Sequence, residues 1–417
     1  MLLQKIAFRP IYLASLTLVF VMFSRVFSAV GLPKSVDFIH FGIVLLALFF
    51  IAIRLKKITV IAIPIIGLLV SFVLSGIWNE AGVVNVVLGF LLLAEPFLLI
   101  LILSMLDWQE EDVIHFRFLI CFVIFLHVLF SYFQSFALGA IDDDVKGIFI
   151  GMNNGHHIGG ALSMVAVVYF YTVAWLKSPV VKTLIYLLLF SQVVMSDAKQ
   201  VVLVFLIAGF IYLFLFDRAM NLMSKLLIVS LGVLFTSFLV LFVQGFSAWV
   251  DVDVILEGGG QKLSVFFVEV DYYESIVNWF LGLGPGHSIS RLGWLIPEYY
   301  QILEPIGVTY HDASAAIMFA NQGHWISNSI TGSSLFSLLY SFAGVWGDLG
   351  LMGLSFYMLS WWYVWKQYAV LGSGKLLLIA AFVFGWVFAY LEEPGFTMFL
   401  CAVLVLIYQE NTVDKKE

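Results

Sequence analysis

The sequence predicts an all-α polytopic membrane protein, and three properties of its composition support this fold class. Of its 417 residues, 62% are apolar and only 11% are charged. Aromatic residues reach 17%, and the mean hydropathy is +1.05. Soluble domains are about half apolar and about a quarter charged, so this composition excludes a water-soluble globular protein. It also excludes a disordered chain, which would need low hydrophobicity and high net charge.

Charge, cysteines and short motifs exclude further classes. The 20 basic and 27 acidic residues give a net charge of −7 without a basic stripe, so we expect no nucleic-acid partner. Cys121 and Cys401 both lie in apolar runs and indicate neither a disulfide framework nor a metal site. The P-loop, HExxH and GxSxG patterns are absent, so nucleotide, zinc-protease and serine-nucleophile chemistry have no local support.

Apolar runs along the chain predict the membrane spans, since a helix needs about 20 apolar residues to cross the hydrocarbon core. About 12 runs reach or approach that length. They cover residues 11–30, 37–53, 58–77, 83–105, 114–138, 156–176, 183–197, 200–216, 226–246, 350–366, 375–391 and 396–409. The first run is long and lacks a small-residue cleavage site, so we interpret it as a span and not as a signal peptide.

The distribution of basic residues predicts that both termini are cytoplasmic. With that orientation, all but six of the 20 Lys and Arg residues fall on inner segments, as the positive-inside rule requires. The six on outer or membrane-embedded segments are Arg25, Lys34, Lys146, Lys199, Lys262 and Arg291. The inner loop from Asp107 to Asp112 is acidic, but acidic residues contribute little to this rule.

The predicted spans divide the chain into three parts. Residues 1–246 hold transmembrane helices 1–9, residues 247–349 form one long outer loop, and residues 350–417 hold helices 10–12 and a cytoplasmic tail. The stretch 333–347 is apolar but too short to cross, so it predicts a re-entrant or interfacial helix. No internal repeat is evident, which disfavours a secondary transporter.

Two polar groups on the outer side are candidates for anion binding. The first, Ser196-Asp197-Ala198-Lys199-Gln200, is either a turn in which Asp197 and Lys199 neutralise each other or a site where Lys199 binds a phosphate. The second runs from Gly282 to His287 and predicts a tight turn whose backbone N–H groups approach an anion. Arg291 follows it, either as a bidentate phosphate ligand or as a solvated loop charge.

Histidine supplies the candidate proton acceptors, since its pKa lies near neutrality. Five of the eight histidines fall on the outer side, although for any single one an ordinary loop residue is the favoured interpretation; they are His156, His157, His287, His311 and His324. Within the predicted spans, Arg25, Glu95 and His127 need partners. Arg25 and Glu95 both lie in outer halves, so we expect a buried pair that fixes helix packing. The Asp-x-Asp strings at 142–144 and 251–253 are too short and common to predict a metal.

Four segments occur in an order typical of one family. They are Gly147-x-Phe149 with Asn153 and Asn154, then Ser196-Asp-Ala-Lys199, then Gly282-x-Gly284-Pro285-Gly286, then Asp348-Leu-Gly350-Leu-Met-Gly353-Leu. With about 12 spans and one long outer loop, this order resembles the bacterial O-antigen polymerase/ligase superfamily (Wzy- and WaaL-like proteins). The resemblance covers about residues 147–365 and rests on the order of the segments, because no single motif is specific.

The resemblance implies a GT-C-like helical fold in the bacterial inner membrane with its active site on the periplasmic side. Such enzymes transfer a glycan from undecaprenyl pyrophosphate without a metal or nucleotide cofactor. The acceptor is a second lipid-linked glycan for a polymerase, or lipid A core for a ligase. The implied partners are therefore a lipid-linked donor, a glycan acceptor and inner-membrane lipids, with a chain-length regulator as a further candidate.

Carried over by position, the resemblance assigns the pyrophosphate to Lys199 and Arg291, although the family has Arg where this chain has Lys199. The family places its catalytic base, a His, shortly before the span that opens at Gly350. Ser and Leu fill that place here, so His324 is the first candidate base and His311 the second. The secondary site candidates are Asn153, Asn154, His156 and His287.

This displaced His favours a polymerase over a ligase. Two other classes stay open. A transporter or lipid flippase would use the charges in the spans around Arg25, Glu95 and His127, and a non-catalytic membrane assembly subunit would need no site at all.

Overall fold

A computed structural model of the protein describes residues 10–54, 60–242, 251–326 and 334–413. The regular secondary structure in these ranges is helical, without strands. The helices are α1 Pro10–Ala29, α2 Ile39–Arg54, α3 Ala62–Trp78, α4 Val83–Ser104, α5 Glu110–Leu138, α6 Gly155–Thr172, α7 Pro179–Met195, α8 Lys199–Ile211, α9 Leu222–Phe242, α10 Val252–Asp271, α11 Asn278–Leu281, α12 Arg291–Glu298, α13 Tyr300–Leu303, α14 Asp312–Ile326, α15 Ser341–Tyr368, α16 Gly372–Val387 and α17 Pro394–Val413. A π-helix, Tyr212–Phe216, extends α8, and 3-10 helices at Lys34–Phe38 and Ala389–Glu392 precede α2 and α17.

The predicted helical membrane fold is confirmed for the described residues. Six helical stretches have the length and composition to cross a membrane: Ile11–Ala29, Val83–Ser104, Glu110–Leu138, Lys199–Phe216, Ser341–Tyr368 and Pro394–Thr412. Four shorter apolar helices are Ala62–Trp78, Pro179–Met195, Leu222–Leu234 and Gly372–Val387. Each of the predicted spans overlaps a helix, but the count of 12 crossings and the GT-C arrangement stay predictions.

Helices α4 and α17 form the centre of the bundle. Both are apolar on nearly every side, and most of their residues are buried, as expected for helices surrounded by other helices. They pack against each other, and α1, α2, α5 and α6 pack around them. Helix α15 packs on α3, which also contacts α4, and α16 packs on α8.

A break in α15 separates a short buried helix from the long helix that follows. Gly350 has φ 61° and ψ −162°, a backbone conformation that is essentially restricted to glycine. Residues 341–350 are all buried. This short helix lies in the stretch for which a re-entrant or interfacial helix is predicted, and its depth in the membrane stays a prediction.

The predicted long outer loop is largely helical over its described residues and packs on one end of the bundle. Helices α10 to α14 all lie within it. The side chain of Asn85, near the start of α4, donates to the carbonyls of Pro285 at 2.8 Å and Thr309 at 2.9 Å. These hydrogen bonds attach the loop to the end of the bundle where α4 begins.

Ion pairs identify the two ends of the bundle. Arg117 in α5 meets Glu410 in α17 at 2.6 Å, so the start of α5 and the end of α17 share one end. At the opposite end, Arg291 meets Glu393, just before α17 begins. The candidate site lies at this second end, and its assignment to the outer side of the membrane stays a prediction.

Candidate functional site

The glycine-rich turn before α12 binds an anion, but that anion is a side chain of the protein itself. The carboxylate of Asp348 accepts hydrogen bonds from the backbone N–H groups of Gly286 at 2.8 Å and Ser288 at 3.0 Å. It also accepts one from the Ser288 hydroxyl at 2.7 Å. A side chain at Gly282 would overlap the backbone at Asp348, which explains why the turn needs glycine there. These amides are therefore occupied and do not point at a substrate.

Arg291 is a buried, paired residue and not a solvated loop charge. It is the first residue of α12, which Ser290 caps by accepting the N–H of Gly293 at 3.2 Å. Only 7% of its side chain is exposed. Its Nε donates to Oε2 of Glu393 at 3.0 Å, and its guanidinium lies 5.4 Å from the centre of the Trp294 ring. The fold therefore holds this cation in a fixed position.

Glu392 and Glu393 supply the carboxylates around Arg291. The backbone N–H of Arg291 donates to Oε2 of Glu392 at 2.8 Å. Burial raises the pKa of Glu392 to about 8, although the hydrogen bond from Arg291 opposes this shift. Burial thus favours the protonated form of Glu392, and the carboxylate that contacts the guanidinium is that of Glu393.

A small cavity of about 50 Å³ lies beside Arg291, at the junction of α1, α2, α4, α12 and the start of α17. Apolar side chains such as Phe41, Leu92 and Phe149 form part of its wall. Its ionisable lining residues other than tyrosine are Arg25, Asp37, His40, Arg291 and Glu393. Two arginines that are far apart in sequence thus line one cavity.

Arg25 reaches this cavity from α1 and does not bind Glu95. It pairs with Asp37 at 3.1 Å and with Glu298 at 3.5 Å, and the hydroxyl of Tyr299 donates to Asp37 at 2.6 Å. Glu95 instead accepts a hydrogen bond from His40 at 2.7 Å. The expected Arg25–Glu95 pair is therefore not formed, because α2 supplies the partner of Glu95 and the 3-10 helix supplies that of Arg25.

Lys199 lies outside the cavity. Its ammonium pairs with Asp197 at 2.9 Å, and 39% of its side chain is exposed. This is the self-neutralising turn, one of the two alternatives that the sequence left open. The next residue, Gln200, donates to the Tyr390 hydroxyl at 3.3 Å, so Lys199 lies at the same end of the bundle as Glu392 and Arg291. The cavity that Arg291 lines, however, has Arg25 as its second cation.

His287 and His311 stack on each other outside the cavity, with ring centres 5.3 Å apart. Both ring nitrogens of His287 are engaged, with the Leu283 carbonyl at 3.1 Å and the Thr309 hydroxyl at 2.8 Å. Burial lowers the pKa of His287 to about 4, and the neighbouring His311 adds to the shift. His311 accepts the N–H of Ala313 through Nδ1. Neither ring is placed to act on a ligand in the cavity.

Of the other predicted site residues whose side chains the structure describes, Asn153, Asn154 and His156 do not line the cavity beside Arg291. Asn153 is exposed, and Asn154 is the buried residue that precedes α6. His156 meets Asp143 at 3.3 Å through Nε2, and its ring lies 3.6 Å from that of His157. The backbone of His324 belongs to α14, but its side chain lies outside the residues that the structure describes.

His40 and Asp37 are not among the residues predicted for the site, and Arg25 is predicted only as a packing residue. A usable signal was present, because charged or polar residues follow one another closely where the first apolar run ends and the second begins: Arg25, Lys34, Asp37 and His40. Polar residues at membrane depth indicate function by default.

Comparison with models of known protein families gives no match, and comparison with curated protein sequences gives none either. A functional proposal for this chain therefore depends on the residues of the cavity and on the resemblance described above.

Proposed function

We propose that the protein is a polysaccharide polymerase of the O-antigen or exopolysaccharide type. It transfers a glycan from undecaprenyl pyrophosphate to a lipid-linked acceptor glycan at the outer face of the bacterial inner membrane. The observation that carries this proposal is the pair of arginines, Arg25 and Arg291, that line one cavity at one end of a helical membrane bundle.

Two guanidinium groups suit the leaving group of this reaction. The departing lipid pyrophosphate carries at least two negative charges, and Arg binds phosphate oxygens through two parallel hydrogen bonds. Fixed cations that face a developing charge typically contribute about 3 kcal/mol each to transition-state stabilisation. The proposal keeps Arg291 in the role that the resemblance assigns to it and gives the second cation role to Arg25 in place of Lys199.

A diphosphate that binds in this cavity must replace a carboxylate that pairs with one of the arginines. A volume of about 50 Å³ holds one or two water molecules, so a diphosphate fits only when a carboxylate partner moves away. Glu298 is the candidate, because it lies 3.5 Å from Arg25 and 37% of its side chain is exposed, against 8% for Asp37 and for Glu393. When Glu298 leaves, Arg25 turns its free donors toward the incoming phosphate.

An apolar cleft offers a place for the lipid tail. It has a volume of about 490 Å³ between the π-helix, α15 and α16, and three of its lining residues are Trp361, Trp362 and Trp365. Leu391 also lines it and directly precedes Glu392, which binds the backbone of Arg291. An isoprenoid chain in this cleft would place its head group near the arginines.

The proposal is tested by binding and by product formation. We expect purified protein in nanodiscs to bind undecaprenyl pyrophosphate, and Arg25→Ala and Arg291→Ala each to weaken that binding about 100-fold. Lys199→Ala is the matched control, with binding unchanged within a factor of two or so. In cells that lack the gene, the two arginine variants should fail to restore the glycan ladder. Normal ladders from both arginine variants would end the proposal.

A lipid flippase or transporter is the second candidate. Arg25 and Glu95 lie within candidate spans, and Glu95 is fully buried, as expected for charges on a transport path. Movement of labelled undecaprenyl pyrophosphate across vesicles, without any glycan transfer, would decide for it. Transfer to lipid A core in the same assay would indicate a ligase instead.

A further inference from the structure

A buried histidine–glutamate pair lies at the wall of the cavity. His40, the second residue of α2, lines the cavity that Arg25 and Arg291 share. Its Nδ1 lies 2.7 Å from Oε1 of Glu95, a short distance typical of a charge-assisted hydrogen bond. Both side chains are at least nine-tenths buried. Glu95 itself does not line the cavity.

Burial of the Glu95 carboxylate in an apolar helix costs free energy, and this cost argues for a role beyond helix packing. It lies in the middle of α4, a 22-residue apolar helix at the centre of the bundle, and Pro96 follows it. Its second oxygen, Oε2, is buried and has no hydrogen-bond partner among the described residues. Structural polar groups at such depth are normally satisfied completely. Glu95 thus has one hydrogen-bond partner, and that partner is an imidazole that lines the cavity. A carboxylate and an imidazole in this arrangement are suited to accept a proton.

The contact with Glu95 defines the state of the imidazole. Because the carboxylate only accepts hydrogen bonds, Nδ1 carries a hydrogen, and in the neutral ring the lone pair is therefore on Nε2. A carboxylate behind a histidine fixes the ring orientation and stabilises the imidazolium that forms when Nε2 takes a proton. His287 lacks such a free nitrogen, and His311 does not line the cavity.

Resting on the proposed function, we infer that His40 is the general base of the transfer reaction and that Glu95 is its positioning residue. The acceptor hydroxyl oxygen forms a bond to the anomeric carbon of the donor glycan while the bond from that carbon to the pyrophosphate oxygen breaks. The hydroxyl proton passes to Nε2 of His40. The electron pair of the broken bond stays on the pyrophosphate, which Arg25 and Arg291 hold. His40 later releases its proton to water, so the cycle needs no further reactant.

Two arginines and three carboxylates surround His40 before substrate enters, which leaves one negative charge when the ring is neutral. The charged groups that face its cavity, each from a different element, are Arg25, Asp37, Arg291 and Glu393, with Glu95 hydrogen-bonded to the ring. Each arginine is paired with a carboxylate. The diphosphate adds negative charge on entry, and this charge favours the imidazolium just when the proton is transferred.

The test compares His40→Gln, Glu95→Gln and His40→Ala with the matched control His311→Ala. The substrate is undecaprenyl-pyrophosphate-linked oligosaccharide purified from cells that lack this protein. We expect His40→Gln to lower single-turnover chain extension by about 10²- to 10⁴-fold while undecaprenyl pyrophosphate binding changes by less than about threefold. Gln keeps a donor for Glu95 but cannot take a proton, so it separates catalysis from folding if the Ala variant does not fold.

Glu95→Gln should give an intermediate loss, with the acidic limb of the pH–rate profile displaced, because a neutral partner no longer stabilises the imidazolium. If His40 and Glu95 had only a structural role, Glu95→Gln would leave the acidic limb of the pH–rate profile at the same pH. If the wild-type protein extends chains and His40→Gln extends them equally fast, the base assignment is overturned and the proposed function survives. If the wild-type protein binds the lipid but never extends a chain, both are overturned. His311→Ala should match the wild type.

Discussion

The ion pair between Arg291 and Glu393 should be one of the most sensitive points of this end of the bundle. The two side chains are 7% and 8% exposed, and Nε and Oε2 lie 3.0 Å apart. Removing one partner of such a buried pair typically costs about 3–5 kcal/mol, because the other charge is left buried and unpaired. Arg291→Gln also loses the contact with the Trp294 ring, which adds about 1 kcal/mol.

A double-mutant cycle measures how much of this loss comes from the pair. We expect Arg291→Gln and Glu393→Gln to lower the free energy of unfolding by about 4 and 3 kcal/mol, respectively. The double variant should lose clearly less than the sum, with an interaction energy of about 2–3 kcal/mol, because neither charge is then left unpaired. The backbone hydrogen bond from residue 291 to Glu392 involves neither of the substituted side chains.

The assay is reversible unfolding of the purified protein in mixed micelles with increasing dodecyl sulfate. Lys199→Gln is the control, because its partner Asp197 is also partly exposed and such pairs contribute about 1 kcal/mol or less. An Arg291→Gln variant as stable as Lys199→Gln would refute the reasoning, and so would a double variant whose loss equals the sum of the single losses.

Three further predictions concern residues at this end of the bundle. Gly350→Ala should destabilise the protein by about 3 kcal/mol or more in the same assay, because only glycine favours its φ and ψ and a side chain would overlap the backbone of Phe280. Burial raises the pKa of Glu392 to about 8, so the folded protein retains a proton that the unfolded chain loses above about pH 4.5. The free energy of unfolding should therefore fall by up to about 1.4 kcal/mol per pH unit as pH rises from about 4.5 to 8. Glu392→Gln should remove this slope. Burial lowers the pKa of His287 to about 4, so the free energy of unfolding should fall as pH drops from about 6.5 to 4. His287→Gln should flatten this part of the plot of unfolding free energy against pH.

Part of the site could be recognised in the sequence before any coordinates. Arg291 stood out as one of two basic residues in a long outer segment, and the structure shows it buried and held by Glu393. The turn at 282–287 was identified as an anion-binding turn, and its amides do hold a carboxylate. The sequence did not show that this carboxylate belongs to Asp348, since more than sixty positions separate Gly286 from it.

The sequence by itself determined the fold class and the position of the helices that follow the apolar runs, but not of α10 to α14 in the long loop. Lipid offers no hydrogen bonds to the backbone, so a run of about 20 apolar residues forms a helix, in which its own N–H and C=O groups pair with each other. That constraint is local, and hydropathy alone is enough to apply it. Helix ends could be placed because polar and Gly–Pro segments interrupt the apolar runs.

Only the tertiary structure decided which side chains meet. Helices such as α4 and α17 are apolar on nearly every side, so their sequences contain no polar face that would indicate how each helix is rotated in the bundle. Rotation and depth depend on many small packing contacts between helices, which no periodicity records. For that reason the order of the residues does not show that Arg25 and Arg291 line one cavity, or that His40 contacts Glu95.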